Sequence, residues 1–174
     1  MTILLVALAI VLIINTVLFL VAYSKQSDKL TDFAYALSFI IVVLATYALA
    51  PTKTSVLSLM TCLVVLWALR LGIFLVIRIW RTGHDARFDD MRHDFLKFLK
   101  FWLAQGIAAW VLLLPMMLVS TNTHTEVGLI ASVGILVWLM GIALEATADF
   151  QKFRFNQTPK NKGKWISSGV WSWS

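Results

Sequence analysis

The chain has 174 residues, 60% of them hydrophobic and only 14% charged, with a formal net charge of +6. That mixture excludes an ordinary soluble domain, where charged residues make up about a quarter of the chain. The apolar residues come in blocks of about twenty, the length that crosses the hydrocarbon core of a bilayer.

The first block covers residues 2–23. No basic residue precedes it and its apolar run is too long for a signal peptide, so it reads as a helix that stays in the membrane. A polar link, SKQSDKLTD, carries Lys25, Asp28, Lys29 and Asp32. The second span is expected over residues 33–50, stopping at Pro51, which cannot continue a helix. The third covers residues 56–80, with Arg70 inside it and Arg78 and Arg81 at its end. A densely charged stretch then runs to Asp94. Phe88, Met91, Phe95, Leu99 and Trp102 recur at helical spacing, which predicts a juxtamembrane helix leading into a fourth span over residues 98–119, kinked by Pro115. The link STNTHTE holds no Lys or Arg. A fifth span is expected over residues 127–148, with Gly128, Gly134 and Gly141 permitting close helix contact, followed by a polar, basic tail. The prediction is an all-α, polytopic bundle of five transmembrane helices, a single transmembrane domain over residues 1–174.

The charge distribution orients it. With the N-terminus outside, the first link, the central charged stretch and the tail share the cytoplasmic side, and the opposite side holds only Lys53. This is the positive-inside pattern. It accounts for the net charge through membrane topology, so no nucleic-acid partner is expected. The lone Cys62 lies in an apolar block, and His84, His93 and His124 lack the close Cys or His partners of a metal site, so no metal is expected; His84 and His93 read as loop or interfacial residues.

Four groups could carry chemistry. Arg70, well inside a span, either snorkels to the interface or lines a polar pocket. The stretch WRTGHDARFDDMR offers Arg81, Arg87 and Arg92, which could hold phosphates through charge-assisted bonds; the plainer alternative is a solvated turn facing anionic lipid heads. Glu145 and Asp149, at i and i+4, share one helix face. Lys152 can pair with Asp149, Arg70 is a candidate partner for Glu145, and the group is either a structural ion-pair set or the wall of a polar cavity. The tail's Trp165, Trp171 and Trp173 suit an interfacial belt.

Two stretches also carry a resemblance. Arg81, Gly83, Asp85, Arg87 and Phe88, spaced as Arg-x-Gly-x-Asp-x-Arg-Phe, resemble the membrane reductases of the steroid 5-alpha-reductase type, in particular a bacterial branch known as a domain of unknown function. Glu145, Ala148, Asp149, Gln151, Lys152 and Phe155, then Asn161, Lys162, Gly163, Lys164 and Gly169, continue the likeness, which covers most of the chain from Arg70 onward. The first two spans match only in character. The resemblance implies a helical-bundle enzyme of the bacterial inner membrane that uses NADPH to reduce a carbon–carbon double bond beside an activating group in a lipid-like substrate. It further implies that Glu145, Asp149 and Lys152 face the cofactor cavity, with Arg81, Asp85 and Arg87 supporting it. It assigns no proton donor.

In that family a Gly-x-Trp or Gly-x-Tyr segment leads into Ser-Arg-His-Pro-Asn-Tyr and Gly-Glu. Here the residues from Gly169 reach only the threshold of that signature, so the chain is expected to be the N-terminal part of a longer enzyme and not to turn over alone. Two other readings compete. Isoprenylcysteine-type methyltransferases, which use S-adenosylmethionine, share the general architecture. A non-catalytic membrane protein would use its buried charges only as packing contacts.

Overall fold

The computed structural model describes residues 2–83, 85–123 and 127–173. His84 and His124 lie outside the described residues. The described residues are helices joined by turns, and five helices are long and apolar enough to cross a membrane: α1 (Thr2–Ser24), α2 (Thr31–Leu49), α3 (Ser55–Thr82), α4 (Phe95–Leu112) and, last in the chain, α6 (Leu129–Gln157). A short α5 (Leu114–Val119) follows α4. The chain divides into two compact units, residues 1–126 and 127–174.

In the first unit α2 packs between α1 and α3, and α4 closes against α1 and α2. Large apolar side chains such as Ile13, Leu66, Ile73, Ile107 and Leu118 point outward. In water this would be a large exposed apolar surface; on spanning helices it is the face that meets lipid. The interior has two layers. One joins Ala7, Val11, Phe39, Val42, Leu57, Ala68 and Met116. The other, at the end bearing the charged turn, is aromatic: Phe19, Phe98 and Trp102 are fully buried and Phe88 nearly so, with Phe98 edge-on to Trp102 at 5.9 Å and Phe88 edge-on to Phe101 at 4.9 Å. Such tilted pairs suit the aromatic quadrupole.

Polar groups inside the unit tie helices together. Buried Asn15 donates from Nδ2 to Val11 O (2.9 Å) and to Ser38 Oγ on α2 (3.0 Å). Gly106 of α4 sits against this amide, where an added Cβ would lie 2.9 Å from Val11 Cγ1 and 3.1 Å from Asn15 Nδ2. Trp110 Nε1 donates to Leu4 O and Gln105 Nε2 to Thr31 O, both at 3.0 Å.

Helix ends follow local chemistry. Ala50, extended at ψ 133°, ends α2 ahead of Pro51, as the residue before a proline prefers. Lys53 donates to the carbonyls of Tyr47, Ala48 (2.9 Å) and Ala50 (2.8 Å), satisfying acceptors that a helix C-terminus leaves unpaired. The single basic residue of that link therefore serves as a helix cap.

Two expectations change, and a third takes a definite form. The juxtamembrane helix from Phe88 does not form: Ala86–Phe88 is one 3-10 turn, and α4 starts only at Phe95, where the Asp94 carboxylate accepts from Lys97 N at 3.0 Å. A local Asp cap and a compact turn override the apolar periodicity. The kink expected from Pro115 is a break at Leu113, since Pro115 has no N–H to donate back into α4 and the chain restarts as α5. The fifth helix continues through residues 149–157, which the sequence reading placed in the tail.

Candidate functional site

The charged turn after α3 is anchored to the α1–α2 link. Thr31 N and Oγ1 both donate to Asp28 O, at 3.1 and 2.6 Å, closing a turn that leads into α2. This turn directs the Asp28 side chain inward, where only 2% of it is exposed. There Oδ2 accepts from the backbone N of Asp85 at 2.6 Å, and Oδ1 lies 3.7 Å from Arg92 Nη1. One turn later Asp32 pairs with Arg78 of α3 at 2.5 Å, and Arg78 Nη2 is also 3.6 Å from Asp85 Oδ2. Asp32 lies in the first turn of α2, where a negative charge complements the helix dipole.

Asp85 and Arg87 form a bidentate pair, with Nε donating to both carboxylate oxygens (2.9 and 3.0 Å) and Nη2 to Oδ2 (2.5 Å). These bonds hold the Asp85 carboxyl below its usual range against the opposing effect of burial, and raise the Arg87 value. Arg92 bonds the Asp89 carboxylate and reaches Phe88 O at 3.4 Å, with 15% of its side chain exposed. Gly83 ends α3 at φ +79°, its N bonding Ile79 O at 2.9 Å; a positive φ favours glycine here. Phe88 fills the aromatic layer beneath.

The turn is thus braced from within by Asp28, Asp32 and Phe88, while Arg81, Arg87, Asp89 and Asp90 stay exposed to solvent. Asp85 and Arg87 are brought together; Arg81 stands exposed on the last turn of α3, and Arg70 is half-buried with its guanidinium 5.8 Å from the Phe74 ring centre. Sequence reasoning missed Asp28 and Asp32 as anchors. The available signal was a pair of acids at i and i+4 on a link that shares its side with the arginines. Among the described residues no group of three or more His, Cys, Asp or Glu side chains could hold a metal ion.

In the second unit, Glu145, Asp149 and Lys152 keep to one stripe of α6, as their spacing requires. The tail folds back beside them. Trp171 Nε1 donates to Ala148 O and Val170 N to Gln151 Oε1, both at 3.0 Å, and the Lys152 ammonium sits 4.7 Å from the Trp171 ring centre. Gly169 allows this approach: its φ is +65°, and a Cβ there would run into the Gln151 amide. Trp165 and Trp173 are exposed, whereas Trp171 is packed on α6. An open groove of about 270 Å³ between Gln151, Arg154, Phe155, Thr158, Ile166 and Ser168 lies on the far side of α6 from the Glu145 stripe. It is therefore a different feature from the set that the sequence singles out.

Comparison with curated proteins and with solved structures returns no match. A family model does match, over residues 18–174. The match takes in every helix but the start of α1, together with the charged turn and the folded-back tail, and so the chain belongs to the family described as "Protein of unknown function (DUF1295)".

Proposed function

We propose that this chain acts as an NADPH-dependent membrane reductase that saturates a carbon–carbon double bond beside a carbonyl in a lipid-like substrate, with its basic end toward the cytoplasm of a bacterial inner membrane. Family membership and the two motifs support the reading. The observation that carries it is the platform: Asp28, buried in the bundle end, fixes the Asp85 backbone and with it the Arg87 guanidinium.

The donor chemistry suits a dinucleotide. Arg87 is held along one edge by Asp85 while 65% of its side chain is exposed, which suits it to a phosphate oxygen. On α6, in the second unit, Trp171 positions the Lys152 ammonium, and the carboxylates of Asp149 and Glu145 lie on the same stripe. NADPH, when bound, supplies a hydride for the β-carbon of the polarised double bond, and the product requires one proton at the α-carbon. The protein's contribution is position and electrostatics.

Binding of NADPH to the detergent-purified chain, set beside S-adenosylmethionine, tests this. NADPH should bind in preference, and Lys152→Ala and Arg87→Ala should each weaken it by roughly 10- to 100-fold, about the 1.5–3 kcal/mol of one charge-assisted hydrogen bond. A preference for S-adenosylmethionine would move the assignment to methyl transfer, and binding of neither would overturn the enzyme reading.

A further inference from the structure

The α2–α3 face carries a groove of about 280 Å³ with an entirely apolar lining. Small residues make its floor: Ala68 is fully buried, and an added Cβ on Gly72 would come within 2.9 Å of Ala36 Cβ. Large ones make its rims, with Phe33, Leu69, Ile73 and Ile77 between 42% and 60% exposed. The two helices touch at the floor and leave a slot between the rims.

Three features identify what fits it. The groove follows α3 from Ala68 to Ile77, roughly 13 Å at the helical rise, close to the roughly 15 Å depth of one leaflet. It lies in the half of the two helices nearer the charged turn. Beyond the Arg78–Asp32 pair at its open end stand two exposed basic residues, Arg81 one turn past Ile77 on α3 and Lys29 in the turn that leads into α2, four residues before Phe33. Trp80, 80% exposed, stands beside Arg81 where an interfacial aromatic anchors. An alkyl chain bearing an anionic head at that level complements both parts of the site.

We propose that this groove holds one acyl chain of a resident anionic phospholipid from the leaflet on the charged-turn side, with its phosphate at the Lys29 and Arg81 end. The lipid is a structural occupant, and the proposal stands apart from the reductase reading.

The test uses the whole chain in vesicles of phosphatidylcholine and phosphatidylglycerol, with either lipid carrying a photoactivatable acyl chain and the labelled peptides mapped by mass spectrometry. Labelling should be saturable, concentrated on residues 33–40 and 68–77, and displaced better by unlabelled phosphatidylglycerol than by phosphatidylcholine. Ile73→Trp, at an exposed rim position, should abolish the saturable labelling, while Ile13→Trp on the outer face of α1 should leave it intact. Lys29→Gln should reduce the preference for phosphatidylglycerol roughly fivefold, the effect of one basic residue near the surface. Non-saturable labelling spread equally over all lipid-facing helices would show ordinary surrounding lipid and overturn the proposal. An unlabelled groove would show that protein covers it, with the same consequence.

Discussion

Asp28→Ala is the substitution that most directly probes the platform. In the intact protein the Asp28 carboxylate, 2% exposed, accepts the Asp85 N–H at 2.6 Å and faces Arg92 at 3.7 Å. Losing a hydrogen bond to a charged acceptor costs about 1.5–3 kcal/mol. The Arg92 pair adds on the order of 1 kcal/mol, because much of its Coulomb attraction offsets desolvation. The expected loss is about 3 kcal/mol, felt first as local opening of the turn and not as unfolding of the spans. Since each 1.4 kcal/mol is tenfold, protection of the Asp85 amide from hydrogen exchange should fall by about 100-fold. Asp28→Asn, which keeps an acceptor of the same shape, should lose roughly half of that free energy. Unchanged protection in Asp28→Ala would refute the claim that this carboxylate shapes the turn.

The Asp85–Arg87 pair should make the turn acid-sensitive. Asp85 titrates below its ordinary value of 3.8 in the folded protein, so its contribution is complete above that value and is lost as pH falls through the lower folded value; Arg87→Met should remove this acid dependence of exchange in the turn. Lys53→Met should destabilise the end of α2 by about 1 kcal/mol, read as faster exchange at the amides of residues 47–50. Gly169→Ala should release the folded-back tail, since a left-handed backbone costs an alanine about 1–2 kcal/mol and its methyl meets Gln151; the red shift of Trp171 fluorescence on solvent exposure reports it. Gly106→Val should push α4 from α1 and cost about 1–3 kcal/mol as overpacking, measured by unfolding in mixed micelles, whereas Gly134→Val, with open space around its Cβ position, should cost far less.

The spans were legible because their signal is length and polarity, and both act within one segment. The end of α2 at Pro51 and the break near Pro115 were legible for the same reason: proline acts on its own backbone. The start of α4 was not. Phe88 and Met91 do pack inward, so their spacing reported burial correctly, yet a 3-10 turn and the Asp94 cap achieve that burial without a continuous helix. The site was half legible. Arg87 and Asp85 stood out as charges, but what holds them is Asp28, 57 residues away, and a bond of that separation leaves no periodicity to read. Trp171 was similarly hidden: an aromatic near the end of a basic tail looks interfacial until the left-handed Gly169 turns it onto Lys152.

Asn15 has a consequence of another kind. Residues 2–23 contain no charge, and a cylinder of uniform oiliness has little reason to prefer one rotation about its axis over another. The amide that reaches Ser38 acts as a key in a slot, favouring the one azimuth of α1 in which Ala7, Val11, Phe19 and Ala22 face inward, alongside the Trp110–Leu4 bond and the packing of Phe19. Replacing it with leucine would make the segment enter a bilayer more readily while removing that key. The expected signature is coexistence of rotamers of the whole helix, visible as doubled resonances along α1, in a protein that is still folded.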